Sequence, residues 1–483
     1  MSESANPVTV APADARGLEA DAIGVTQDTV IGMASSAPAA SVGLTLAALV
    51  AATAYGSGPV IVVTALPMLV IANAYRRLNM WNANCGASFE WVGRAMDPNL
   101  GFLIGWLMIA GYVIATVSGV EVLGPSVLAV FNNSATNTWG NIAIATAVGL
   151  VMTVLAVIGI RITARTQVGI AVIEYTILLG FAIAGIIAVA RHWPGTFPAT
   201  SAWFNPTGIG GKGSAVAGFL IAVFIFTGWD GALYVNEEVK QRRRNPGRAA
   251  LLAVALLAVI YTVSMVGLQG TVSPAKLQAN AASALVYTAQ ALGGSGWAKV
   301  MALGLALSVI ATTGTGIVLT ARIVFSMARD RVLPTPLSRV SGRYATPTIA
   351  SVVIGVLIVA LAWIYLLATS VENAFNDVVD VSGLLFAVFY IFTALATIAY
   401  YRQLVRSGAK NVVMLGILPF AAAVFLGWIV VKSLLTAPAA QLWSLVGIVV
   451  VGLVLLASAR FVQRSEFFHL PREHYQPEAV TEA

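Results

Sequence analysis

Charge is scarce in this 483-residue chain: Asp, Glu, Lys and Arg together make up 10%, against 58% hydrophobic residues. Soluble domains carry about 25% charged residues, so a water-soluble fold is excluded and a polytopic membrane protein is indicated. One cysteine, Cys85, excludes an intramolecular disulfide. The three histidines, His192, His469 and His474, fall in a predicted loop and the C-terminal tail. No His, Cys and carboxylate cluster has metal spacing, and no GxxxxGK[ST] run is present to cradle phosphate. With no nucleophile–base pair either, an enzyme, a cofactor and a built-in ATP motor are not expected. The net charge of +7 does not point to nucleic acid, because the basic residues sit in short loops between apolar runs. Residues 1–27 lack the basic and apolar regions of a signal peptide and read as a disordered tail.

What is present in abundance is long apolar runs. A span needs about 20 such residues, and twelve fit: 28–53, 58–75, 100–130, 140–160, 166–190, 214–236, 249–270, 297–321, 348–369, 378–400, 412–434 and 441–460. The third is over-long, which implies a tilt or an end nearer Gly124. With the N-terminus inside, 22 of the 27 Lys and Arg fall on the cytoplasmic side. The outside keeps Arg191, Lys212, Lys276, Lys299 and Lys432. The positive-inside rule therefore places both termini in the cytoplasm, and the absence of a targeting signal suits a bacterial inner membrane.

Two spans are irregular. The first contains Gly32-Met33-Ala34-Ser35-Ser36-Ala37-Pro38, and the sixth Phe226-Thr227-Gly228-Trp229-Asp230-Gly231. Proline removes a ladder hydrogen bond, glycine costs roughly 1 kcal/mol relative to alanine in a helix, and a charge at bilayer depth costs roughly 3 kcal/mol or more. Such defects persist where freed backbone lines a cavity. Discontinuous helices five spans apart predict an all-α fold of two inverted five-helix halves, residues 28–190 and 214–400. Spans 11 and 12 (412–460) and a tail (461–483) follow, and substrate is expected between the two breaks.

At an unwound helix, N–H groups suit a carboxylate and free carbonyls suit an ammonium or cation. The expected donors are Ser35, Ser36 and Ala37, and the expected acceptors are Phe226, Thr227 and Gly228. Together they would recognise a zwitterion, with Trp229 as an aromatic wall and Phe224 as a gate. The acids within apolar spans are Glu121, Glu174, Asp230 and, near the start of span 10, Asp380. A buried acid can load and release a proton, so Glu174 and Asp230 are the proton-coupling candidates. Thr312 and Thr313 in span 8 are ingredients of a sodium site, or bond back to their own helix. Glu237 and Glu238 are expected to pair with Arg242–Arg244 as a gate.

Three stretches resemble the amino acid–polyamine–organocation permeases: FTGWDGALYVNEEVKQRRRNPGRA at span 6, ARIVFSMARDRVLP with Tyr344-Ala345-Thr346-Pro347 after span 8, and ASFEWVGRAMDPNLGFLIGW before span 3. The resemblance covers residues 27–462. It implies the LeuT-like five-plus-five inverted-repeat fold with two extra helices, and a secondary transporter of amino acids or related amines working by alternating access. It also implies a substrate carboxylate on Ser35, Ser36 and Ala37, an ammonium on the Phe226, Thr227 and Gly228 carbonyls, and Asp230 tuning selectivity. The chain departs from the family in two places. The glycine-rich run usual in span 1 is replaced by Ala-Ser-Ser-Ala-Pro, and the span 5 lysine of some proton-coupled relatives is missing. A proton-coupled or exchanging permease is the leading expectation. Sodium coupling within the same fold, or a sensor that binds without transport, are the alternatives.

Overall fold

The computed structural model describes residues 17–476 except 54–55, 132–136, 205–210 and 369–370. Among these, twelve helices are long and apolar enough to cross a membrane. They are span 1 (Val25–Thr53), 2 (Ser57–Trp81), 3 (Pro98–Val130), 4 (Thr138–Ile158), 5 (Ile160–Ala190) and 6 (Val216–Leu233). Span 7 (Asn245–Gln269), 8 (Ala284–Arg329), 9 (Thr348–Leu367), 10 (Val381–Tyr400), 11 (Ala409–Thr436) and 12 (Ala439–Val462) follow. The spans sort by depth. The most apolar stretch of span 1 is 78% buried, whereas that of span 12, which packs on span 3 along one side, is 11% buried. Span 3 packs along spans 8 and 10, span 2 along span 7, and span 1 lies against spans 5, 6, 7 and 8.

Local sequence explains the irregular elements. Span 3 is capped by the Asp97 carboxylate, which accepts from the Asn99 and Leu100 amides, and it starts on Pro98. It does not stop at Gly124 but runs 33 residues to Val130, about 50 Å at 1.5 Å per residue. Span 8 is longer than its apolar core: Gly293 and Gly294 leave helical geometry, Gly294 at φ 77°, and the helix proper continues to Arg329. Span 1 is two helices, Val25–Ala34 and Pro38–Thr53, joined through Ala37 at φ 45°. Span 6 ends as an α-helix at Ile225, turns at Gly228 with φ 103°, and continues only as short 3₁₀ turns, Trp229–Leu233 and Asn236–Glu238.

Both tails are more structured than expected. The segment read as disordered to residue 27 is ordered from Gly17, and Ile23 forms a parallel bridge with Val239. The Glu238 carbonyl accepts from the Ala22 and Ile23 amides, and the Ile23 carbonyl accepts from the Lys240 amide. At the other end Phe467 is buried, stacked on Phe89 at 4.7 Å, and the Tyr475 amide donates to the Tyr400 carbonyl. An even number of spans puts both tails on one face of the protein, called here the terminal face.

Candidate functional site

The two helix breaks meet. Ser35 Oγ donates to the Gly228 carbonyl at 2.5 Å and to the Gly32 carbonyl at 3.1 Å. The approach is close enough that a Cβ on Gly228 would lie 2.5 Å from the Ser35 carbonyl oxygen, and one on Gly231 2.7 Å from Ser35 Oγ. Gly228 is therefore demanded twice, by its positive φ and by the contact. Cavities of about 430 Å³ at Gln241–Arg244 and about 420 Å³ among spans 3, 9, 10 and 12 lie away from this junction. The breaks are seen closed on one another.

Every backbone donor at the span 1 break is engaged. The Ser35, Ser36 and Ala37 amides, expected to receive a carboxylate, donate to the Ile31, Met33 and Ala34 carbonyls, each at 3.1 Å. Pro38 has no N–H. The Ala39 amide donates to Glu174 Oε1 at 2.9 Å, Ala40 to Ser308 Oγ at 3.2 Å, and Ser41 to the Ala37 carbonyl at 2.7 Å. Glu174 of span 5 thus caps the N-terminus of the second half-helix, where a negative charge is favoured. Its second oxygen is buried with no hydrogen bond.

On the span 6 side Asp230 is buried and bonded. Tyr390 of span 10 donates to Oδ1 at 2.6 Å, and Tyr234 donates to Oδ2. Tyr112 of span 3 stands edge-on to Tyr234 at 5.5 Å, and Trp229 stacks on Tyr390 at 5.4 Å with Tyr75 edge-on to both. Phenol hydroxyls and ring faces surround one carboxyl, joining spans 2, 3, 6 and 10. Phe226 packs edge-on to Tyr261 at 5.4 Å, whose hydroxyl donates to the Ser36 carbonyl at 3.3 Å. Thr227 Oγ1 bonds back to Phe224, and a Cβ on Gly383 of span 10 would lie 3.4 Å from the Phe224 ring.

Thr312 and Thr313 separate. Thr312 Oγ1 reaches the Ala34 carbonyl of span 1 at 2.9 Å as well as its own Ser308 carbonyl. Thr313 bonds only back to Val309. No group of three or more His, Cys, Asp or Glu placed to hold a metal occurs among the described residues. The side chains of Glu121 and Asp380 lie outside the described residues.

The terminal face is closed by ion pairs. Glu237 and Glu238 do not pair with Arg242–Arg244, which are exposed. Their partners are on span 8. Arg322 binds Glu238 through Nε at 2.5 Å and Nη2 at 2.9 Å, both side chains fully buried, and Arg329 binds Glu237 at 2.8 and 3.0 Å. Two parallel N–H···O bonds give these pairs their geometry. Burial pushes the Glu238 carboxyl up and Arg322 opposes it. For Glu237 burial acts the same way, but the Arg329 bonds win and hold it below the usual range. Cys85 is buried beneath them, its amide donating to Glu237 Oε1 at 3.0 Å.

A model of a family described as amino acid permease matches residues 26–459. The chain belongs to this family. The twelve spans are consistent with this family, and its members are transporters, not enzymes. The permease is 26% identical over 297 residues to the human Asc-type amino acid transporter 1, covering 59% of this chain and 54% of that one. It is 24% identical over 308 residues to the vacuolar cationic amino acid transporter 4 of Arabidopsis thaliana (60% and 50%). To an arginine/ornithine antiporter of Latilactobacillus sakei it is 23% identical over 383 residues (76% and 77%). The first two alignments span about half of each relative's length.

Residues missed in the sequence are Ser308, Arg322, Asp28 and the tyrosines 75, 112, 234 and 390. Tyrosines inside apolar spans carry a hydroxyl that needs a partner when buried, and that signal was readable. Arg322 was counted as a topology residue because it stands at the end of an apolar run. Asp28 is the first residue of the run read as span 1, 28–53, and is absent from the acids counted within the spans.

Proposed function

We propose that the permease is a secondary transporter of amino acids or related amines, working by alternating access and driven by proton movement or exchange. The observation that carries this reading is the Ser35–Gly228 junction, two interrupted helices meeting at carboxyl-bearing, otherwise apolar surroundings. Parting the junction would expose the span 1 half-helix N-terminus to a substrate carboxylate and the Phe226, Thr227 and Gly228 carbonyls to an ammonium. The face lined by Glu237, Glu238, Arg322 and Arg329 is the cytoplasmic gate, with both termini cytoplasmic, and the membrane is a plasma membrane, in a bacterium the inner one.

Glu174 supplies the coupling. Its carboxylate occupies the Ala39 amide that an incoming carboxylate would need, and two carboxylates sharing one site repel. Proton uptake by Glu174 removes the repulsion and frees the amide, so substrate and proton enter together. Asp230, held by tyrosines from spans 6 and 10, ties the broken segment of span 6 to its neighbour and changes partners as that span moves. Uptake of radiolabelled amino acids and amines into proteoliposomes with and without sodium tests this reading. Sodium-independent uptake with internal acidification supports it. Sodium coupling has one favouring contact, Thr312 Oγ1 on the Ala34 carbonyl, and is the outcome if uptake needs sodium. Binding without any uptake would make the protein a sensor.

A further inference from the structure

Asp28 lies in the first turn of span 1, completely buried, and neither carboxyl oxygen has a hydrogen-bond partner. The other buried acids on or facing span 1 are engaged: Glu174 by Ala39, Asp230 by Tyr234 and Tyr390, Glu238 by Arg322. Asp28 shares a helix face with Gly32 one turn on, and that face meets the Trp229 carbonyl, Ala232 and Ala253. It therefore points at the junction of spans 1, 6 and 7. Five residues before it Ile23, with Ala22, is tied to the Glu238 backbone and Val239, so the helix turn that holds Asp28 follows on from the closed face.

Charged groups on the packed elements do not neutralise it. On span 7 the first-turn Arg248 is exposed. On span 8 Arg322 and Arg329 are taken by Glu238 and Glu237. On span 5 Arg161 pairs with Glu19 and Arg165 is exposed. A first-turn acid gains from the helix dipole, but the free amide at this helix start, Gly24, is capped by Gln27 and not by Asp28. A bare carboxylate in such a place is costly, whereas the neutral acid is tolerated.

We propose that Asp28 is a proton-binding site: it carries a proton while the terminal face is closed and loses it when the face opens. Opening that parts Ile23 from Val239 and Glu238 from Arg322 lets water reach Asp28, and the ionised form then holds the face open until a proton returns. The proton leaves to water on that side, separately from the one Glu174 handles at the span 1 break. The inference rests on the transporter reading only in taking this face as a gate.

Two measurements on the full-length protein test it, neither needing the substrate. Infrared difference spectra of wild type against Asp28→Asn at neutral pH should show a protonated-carboxyl C=O band, shifted in D₂O, that the variant lacks. No such band overturns the proposal. The second uses Cys85, the one cysteine of the chain, buried under the gate pairs, as a reporter of opening. Its maleimide-labelling rate is taken relative to Asp28→Asn at each pH, so thiol ionisation cancels. The ratio should climb with pH by up to about tenfold per unit, the slope of one linked proton. A flat ratio overturns the link between Asp28 and the gate. If Cys85 stays unlabelled in wild type and in Arg322→Ala, it is the gate reading that fails, and the infrared band still decides the proton.

Discussion

Arg322 and Glu238 form a fully buried, two-bond ion pair between spans 8 and 6, and the Glu238 backbone also carries the N-terminal segment. One residue thereby connects span 8, the end of span 6 and the N-terminal segment at the terminal face. Removing one partner of a buried pair costs about 3–5 kcal/mol because the other charge is stranded. Arg322→Ala should therefore lower thermal stability and raise Cys85 labelling well above wild type. Arg329→Ala, whose pair is partly exposed, should do so only slightly. Labelling rates on the two variants check this, and equal effects would contradict it.

Gly228→Ala should be the most damaging single change at the junction. The added methyl would meet the Ser35 carbonyl at 2.5 Å in a backbone geometry, φ 103°, that L side chains disfavour. Ser35→Ala loses the hydroxyl shared between the Gly228 and Gly32 carbonyls, a hydrogen bond being worth about 0.5–1.5 kcal/mol. Transport should be abolished in the first and reduced in the second, with melting temperature falling in the same order.

Asp330 sits at the end of span 8, where its carbonyl accepts from Ser465 Oγ of the C-terminal segment. Burial first, and the facing Glu90 carboxyl second, push Asp330 up to about 9. A carboxyl raised on folding binds its proton more tightly in the folded protein, so its contribution is full below the ordinary 3.8 and declines as pH rises through about 9. Thermal stability should drop across that range in wild type and drop less in Asp330→Asn. An unchanged profile in the variant would contradict the assignment.

Phe467, stacked on Phe89 and pressed against Gly93, anchors the C-terminal segment. Phe467→Ala should cost about 3–5 kcal/mol locally and increase protease access to residues beyond 464. Limited proteolysis reads this directly, and no change would mean the segment is held by Ser465, Arg94–Glu473 and Tyr475 without it.

Much of the architecture was legible because a bilayer forces one signal, the length of an apolar run, and all twelve spans emerged from it. The breaks were legible because proline and paired glycines do not suit a buried helix. Partners were not, since they depend on which helices pack. Arg322 reaches Glu238 across 84 residues and Glu174 reaches Ala39 across 135. Sequence proximity instead suggested Arg242–Arg244, which point to solvent. The Ser35–Ala37 amides were expected to be free, but Ala37 at φ 45° folds the chain so that each finds a carbonyl behind it. The amides at the half-helix start, Ala39 and Ala40, bond to Glu174 and Ser308.

In the proposed mechanism Glu174, seated on the Ala39 amide, couples proton to substrate. Its most direct test is uptake by proteoliposomes carrying an internal pH dye, comparing wild type with Glu174→Gln. Glutamine preserves an acceptor for Ala39 but cannot cycle a proton. Wild type should acidify the lumen with each substrate that enters, without sodium. The variant should exchange substrate across the membrane yet neither acidify nor concentrate it. Proton-coupled accumulation surviving intact in Glu174→Gln would remove Glu174 from the coupling.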